Sequence, residues 1–130
     1  MTDPVADMLT RMRNAIMARH QKVKVPHSGI KQQIAEVLQA EGFIAGFEVS
    51  HDAPRTWIEI VLRYDADNEP VLRGSKRVSR PGLRTYSRAR EIPRVMGGVG
   101  VSLVSTSNGL MTGSEARRRR LGGEVLAFVW

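Results

Sequence analysis

Apolar positions along this 130-residue chain change period several times, and each change marks an element. Val5, Met8, Leu9, Met12 and Ile16 recur at three- and four-residue steps, which is one face of a helix. Asp3-Pro4 supplies an N-cap residue followed by proline at the first helical position. Lys22-Val23-Lys24-Val25-Pro26 alternates polar and apolar and stops at proline, so it predicts a short strand. Ser28 can cap a second helix with Ile30, Ile34, Val37 and Leu38 on its apolar face, and Gly42 stands where a C-terminal cap belongs. Phe43 to Ser50 reads as a strand. Thr56 to Tyr64 reads as another, with Ile58, Ile60, Leu62 and Tyr64 sharing a face. The front part is therefore helix-strand-helix-strand-strand.

Asp65-Ala66-Asp67-Asn68-Glu69-Pro70 is a polar connector and sets the expected lobe boundary. Beyond it, Val71 to Ser79 predicts a basic strand with Gly74 at a bulge, and Arg80-Pro81-Gly82-Leu83 a type II turn. Leu83 to Arg88 can pair back as a strand. Glu91 to Met96 allows a short helical turn closed by Gly97-Gly98. Val99 to Val104 is a strand that runs into Ser105-Thr106-Ser107-Asn108-Gly109. Thr112-Gly113-Ser114-Glu115 matches a reciprocal capping box. It opens a helix through Arg117–Arg120, ended by Gly122-Gly123, and Val125 to Trp130 is a final strand. The expected class is α+β in two small lobes. Residues 1–66 form the N-terminal one, and residues 67–130 a basic, mostly β one with one or two short helices.

Charge divides the chain at the same place. Up to Pro70 there are eight basic and ten acidic residues; after it there are twelve basic residues and only Glu91, Glu115 and Glu124. The front carries −2 and the back +9, within a net +7. A local excess of this size predicts a polyanionic partner bound mainly by the back part. The chain has no cysteine, which removes disulfides and cysteine-based zinc sites. No apolar run is long enough to span a bilayer, the N-terminus lacks a secretory pattern, and a cytoplasmic setting without membrane contact is expected.

Val104 to Thr112 is the stretch with the most chemical promise. Three hydroxyl residues precede Asn108-Gly109, a pair whose tolerance of positive φ makes it a turn signal. The hydroxyls could bond phosphates, sugars or base edges, or merely satisfy neighbouring backbone. Arg84, Tyr86 and Arg88 share a strand face, and Tyr86 could stack on an exposed base or pack on its own strand. Arg11, Arg13 and Arg19 either suit the helix dipole or contact phosphate. Catalytic groupings are absent. His20, His27 and His51 are scattered without metal-ligand spacing, and Gly97-Gly98-Val99-Gly100 precedes a strand, the wrong context for a nucleotide loop. The connector mimics a calcium loop briefly, but Pro70 and Lys76 occupy its glycine and glutamate positions. No enzyme, metal or cofactor is expected.

Arg77-Val78-Ser79-Arg80-Pro81-Gly82-Leu83-Arg84, Val104-Ser105-Thr106-Ser107, Gly109-Leu110-Met111-Thr112 and Gly122-Gly123-Glu124-Val125-Leu126 resemble small-subunit ribosomal protein eight of bacterial type. Asp3 to Asn14 is similar too, so the resemblance covers essentially the whole chain in order. It implies a two-lobed structural protein of the small ribosomal subunit that binds a helix in the central domain of 16S rRNA and helps organise its assembly. It implies that Ser105, Thr106 and Ser107 meet bases and sugars, with Asn108 at the loop tip and Gly109 allowing close approach. Tyr86, with Arg84 beside it, and Glu124 would join that contact. Arg11, Arg13 or the Lys22–Lys31 region would touch a neighbouring RNA helix. Neighbouring ribosomal proteins and its own operon mRNA are further implied partners. Two features depart from the family pattern: Asn108 stands where many members have lysine, and the Arg117–Arg120 run is denser. A nonspecific nucleic-acid-binding or RNA-chaperone module is the alternative from a different class.

Overall fold

The computed structural model describes residues 2–130. They form two compact units, Pro4–Arg73 and Gly74–Trp130, the second also taking in the N-terminal residues up to Asp3.

In the front unit, α1 (Pro4–Met17) and α2 (Gly29–Ala40) pack against a three-stranded antiparallel sheet of order β1-β3-β2. Its strands are β1 (Lys22–Pro26), β2 (Ile44–Ser50) and β3 (Trp57–Leu62). Period decides burial here. Val5, Met8, Leu9 and Met12 are the buried stripe of α1, and Ile58, Ile60 and Leu62 the buried face of β3. Burying such side chains contributes roughly 1.5–3 kcal/mol each. Ser28 caps α2 by accepting the Lys31 amide at 3.3 Å.

Each α-helix ends with the same pair of backbone bonds. The residue after the cap bonds three positions back and the next one five back: Arg19 to Ile16 and His20 to Ala15, Gly42 to Gln39 and Phe43 to Leu38, Arg120 to Arg117 and Leu121 to Ala116. This Schellman closure needs a left-handed residue. Glycine fills it once, at Gly42 (φ 80°); Arg19 (φ 58°) and Arg120 (φ 59°) fill it elsewhere.

The polar connector folds back within the front unit. Asp65 and Glu69 close it, Asn68 turns it at φ 60°, Tyr64 bridges to Pro70, and Val71 bonds the Arg63 carbonyl.

The back unit is an antiparallel sheet of order β4-β8-β6-β7, with β5 also on β8. β8 (Gly123–Val129) is its centre, and Val125, Leu126, Ala127 and Val129 are all buried. β6 (Val101–Thr106) flanks it on one side. β4 (Ser75–Arg77) and β5 (Tyr86–Ser87) lie along β8 at successive registers. Between these two strands the chain makes an excursion closed by paired bonds of Arg80 and Leu83.

Several expectations change here. The basic strand is shorter than Val71–Ser79, because Val71 belongs to the connector and pairing with β8 begins beside Gly74–Trp130. Gly74 serves close packing, since a Cβ there would lie 2.6 Å from the Trp130 ring. Gly82 does not adopt positive φ, so the turn is not type II. The single turn foreseen over Glu91–Met96 is two 3-10 turns, Ala89–Glu91 and Met96–Gly98, separated by buried Ile92 and Val95. α3 (Gly113–Arg118) stops at Arg120 and not at Gly122-Gly123. A strand missed in the sequence, β7 (Gly109–Thr112), lies between the hydroxyl loop and α3.

Candidate nucleic-acid interface

β6 and β7 form a hairpin whose closing pair is Thr106–Gly109, so Ser107 and Asn108 are its two-residue tip. The sequence suggested Asn108-Gly109 as the centre of the turn; the reversal lies one residue earlier. Asn108 keeps negative φ and only Gly109 is left-handed, at φ 102°. The Thr106 hydroxyl locks it, donating to the Gly109 carbonyl at 2.8 Å and accepting the Asn108 amide at 3.1 Å. Thr106 is thus a loop brace. Among the described residues, the hydroxyls of Ser105 and Ser107 make no hydrogen bond.

The strands bring distant residues into one row. Glu124 on β8 stands opposite Tyr86 of β5 on one side and Ser105 of β6 on the other. The close fit depends on the preceding residue, because a Cβ on Gly123 would collide with the Ser105 backbone carbonyl. Gly122-Gly123, read from sequence as a helix stop, is therefore a packing device for the sheet. Tyr86 is 70% exposed, so its ring is not packed away on its own strand.

Glu124 is held in place by two donors. The Ser79 hydroxyl donates to Oε2 at 2.5 Å, and Arg84 Nη1 donates to the same oxygen at 2.9 Å. Ser79 is 0% exposed and also accepts the Thr85 amide at 3.0 Å. Burial works most strongly to raise the Glu124 pKa, but the Ser79 and Arg84 bonds with the Arg84 charge outweigh it, and the carboxyl titrates below its ordinary range. The same bond raises the pKa of exposed Arg84. Both donors engage Oε2 and neither engages Oε1. Sequence reasoning missed Ser79 as a site residue, because its role depends on a carboxylate 45 positions away.

Thr112 caps α3 by accepting the Glu115 amide at 3.2 Å. The reciprocal half of the expected box is not made. Glu115 instead accepts from Arg118 Nη2 at 2.5 Å and Arg119 Nε at 2.7 Å. The bonds from these two guanidiniums, Arg118 foremost, hold the half-buried Glu115 carboxyl down at about 2.

Residues 3–130 match the family described as Ribosomal protein S8. The chain is 54% identical to the small ribosomal subunit protein uS8 of an Exiguobacterium species, over all of this chain and 98% of the relative. It is 55% identical over the same shares to the proteins of that name from Lysinibacillus sphaericus and Halalkalibacterium halodurans. The chain belongs to the ribosomal protein S8 family. An S8-family protein is a structural ribosomal protein and not an enzyme. Among the described residues no cluster of histidine, cysteine or carboxylate could hold a metal ion, and no helix is long and apolar enough to cross a membrane.

The basic residues singled out in the front unit of this S8-family chain differ in what they offer. Arg11 is paired with Asp7 at 2.8 Å, and Arg13 is exposed. Lys31 is 4% exposed and donates to the Pro26 carbonyl at 2.7 Å, so its ammonium is turned inward. Burial lowers its pKa most, with Arg11 adding to that and Asp7 opposing. An inward ammonium suits a structural clamp between β1 and α2.

Proposed function

We propose that this protein is a constituent of the small ribosomal subunit in the cytoplasm, where it binds a helix in the central domain of 16S rRNA and helps organise that domain. The observation that carries this reading is the row Tyr86–Glu124–Ser105, ending at the Ser107–Asn108 tip. An A-form helix displays 2′-hydroxyls in a shallow minor groove. Ser105 and Ser107 have hydroxyls to donate and accept there. Glu124 Oε1 is a fixed acceptor for a 2′-hydroxyl or a base amine, and the exposed Tyr86 ring is a platform for an unstacked base at an irregular loop. Arg84 screens the carboxylate from phosphate repulsion. Asn108 offers an amide at the tip and no charge. Arg13 and Arg11 are the front-unit groups we assign to a neighbouring RNA helix; Lys31 is left out. Family membership supports the same reading, as do the small-subunit names of the relatives. Neighbouring small-subunit proteins are further partners, and its own operon mRNA is one if it mimics the rRNA site.

The test is binding of an rRNA hairpin from that domain against random duplex RNA of equal length. Ser107→Ala and Ser105→Ala should each weaken the hairpin complex by about three- to tenfold, the worth of one hydrogen bond, with little effect on the random duplex. Thr106→Val should weaken it as well, by loosening the tip. Equal losses on both RNAs refute the site-specific reading and leave a nonspecific binder.

A further inference from the structure

The Arg117–Arg120 run looks uniform in sequence, yet the fold divides it. Arg118 and Arg119 both close on Glu115. Arg117 turns the other way, donating to the Ile92 carbonyl at 2.9 Å. Arg120, at the left-handed closure of α3, makes no side-chain bond among the described residues. Arg117 and Arg120 line a cleft of about 640 Å³ with Ala89, Arg90 and Arg94. Arg94 and Arg117 also border a hollow of about 230 Å³ that runs past Ser102 and Ser114.

No carboxylate lines either cavity. Glu115, the acid nearest along the helix, is already occupied by two guanidiniums. Four arginines therefore line one concavity without a counter-charge among the lining residues. Such an arrangement raises the local concentration of anions. Guanidinium forks match phosphate oxygens two at a time. The scaffold beneath is firm: buried Ile92 lies between Arg90 and Arg94 in sequence and packs with Ala116 in the core. We propose that Arg90, Arg94, Arg117 and Arg120 form a cleft that grips the sugar-phosphate backbone of RNA, a site separate from the hydroxyl hairpin and blind to base sequence.

The lining favours RNA over a protein segment. Protein interfaces centre on apolar and aromatic side chains and are poor in charge, whereas this cleft has one alanine among arginines. The inference rests on the RNA reading of the hairpin and assigns it a second anchoring point.

The test is a salt titration of binding by the full chain, using the same hairpin and random duplex. Removing one arginine–phosphate pairing should reduce the slope of log affinity against log salt by about 0.7–0.9. The triple variant Arg90→Gln, Arg94→Gln, Arg120→Gln is expected to lower the slope by about two units and to weaken both RNAs by the same factor. The corresponding lysine triple should keep most of the slope, which separates charge from folding damage. Arg118→Gln with Arg119→Gln should change the slope far less. An unchanged slope in the glutamine triple overturns the proposal and points to an acidic protein segment as the occupant. Failure of the hairpin reading appears elsewhere, as loss of discrimination by Ser107→Ala, so the two failures are distinguishable.

Discussion

In the front unit, Arg11 holds Asp7, Lys22 holds Glu59, Lys24 holds Asp52, and Arg19, Lys31 and Arg63 donate to backbone carbonyls. In the back unit, Arg80, Arg88, Arg90, Arg94 and Arg120 make no side-chain bond or ion pair among the described residues. Both units are built on antiparallel sheets, but the front unit closes most of its cations on its own acids and carbonyls, whereas the back unit, with Arg77, Arg84 and Arg117–Arg119 engaged, leaves more of them open. Net charge alone does not carry this lesson, because exposed pairs such as Lys22–Glu59 contribute little stability. What matters is which cations retain unused donors. Arg13 is the front-unit candidate with no side-chain pair among the described residues, and Arg11 spends only its Nε on Asp7.

The contrast predicts that damage to the front core is a folding defect only. Ile60 is fully buried on β3. Ile60→Ala should lower unfolding free energy by about 2–5 kcal/mol, read by urea denaturation. Below the unfolding transition, RNA selectivity and salt slope should match the parent. A changed slope in the folded variant breaks the division of labour.

Ser79→Ala should bridge stability and function. It removes a buried hydroxyl that both donates to Glu124 and accepts from Thr85. A loss of about 1–3 kcal/mol follows from leaving those groups unsatisfied, with weaker binding of the rRNA hairpin. The pH dependence has a defined sign. The Glu124 carboxyl is held below its ordinary 4.5 in the native protein, so the unfolded chain binds its proton more readily. The contribution is complete above that ordinary value and disappears as pH falls through the lowered native one. Ser79→Ala should flatten that acid limb in unfolding measured from neutral pH downward. An unaltered limb would mean that Arg84 alone sets the Glu124 titration.

Ser79 also marks the limit of what the chain revealed by itself. The front unit was legible because its signals are local. The 3.6 and 2.0 periods, Ser28 and Gly42 each specify structure within a few residues. The back unit's elements were harder, since β4 and β5 are three and two residues long and exist only because β8 offers them an edge. The Tyr86–Glu124–Ser105 row joins positions up to 38 apart in register, and no local pattern encodes it. Family resemblance pointed to the residues but not to the brace. The hydroxyl loop divides the same way. Thr106 follows the ordinary reading, a side chain satisfying its own turn, while the Ser105 and Ser107 hydroxyls make no hydrogen bond among the described residues.

Thr112→Ala probes a local signal in the back unit. It removes the N-cap of α3 and should cost about 1 kcal/mol, measured by thermal unfolding. Ser28→Ala on α2 should cost a similar amount. Only Thr112→Ala is expected to reduce RNA affinity as well, because α3 carries Arg117 and is closed by Arg120. Equal effects of the two substitutions on RNA would sink the distinction between the units.

Glu115→Gln has the smallest expected effect on stability, and it is the sharpest probe of the comparison. Its side chain is half-buried, but its ion-pair partners Arg118 and Arg119 are exposed, on a short helix. With the carboxyl at about 2, it stays ionised throughout the neutral range. Removing it should leave unfolding nearly unchanged across neutral pH. What changes is the supply of unpaired cations, since Arg118 and Arg119 are released beside a cleft that already lacks counter-charge. If the back unit binds RNA through whatever cations it leaves open, the salt slope should steepen by up to about two units. If the slope stays the same, direction as well as pairing selects the arginines, and only those facing the Arg90–Arg94 side reach phosphate.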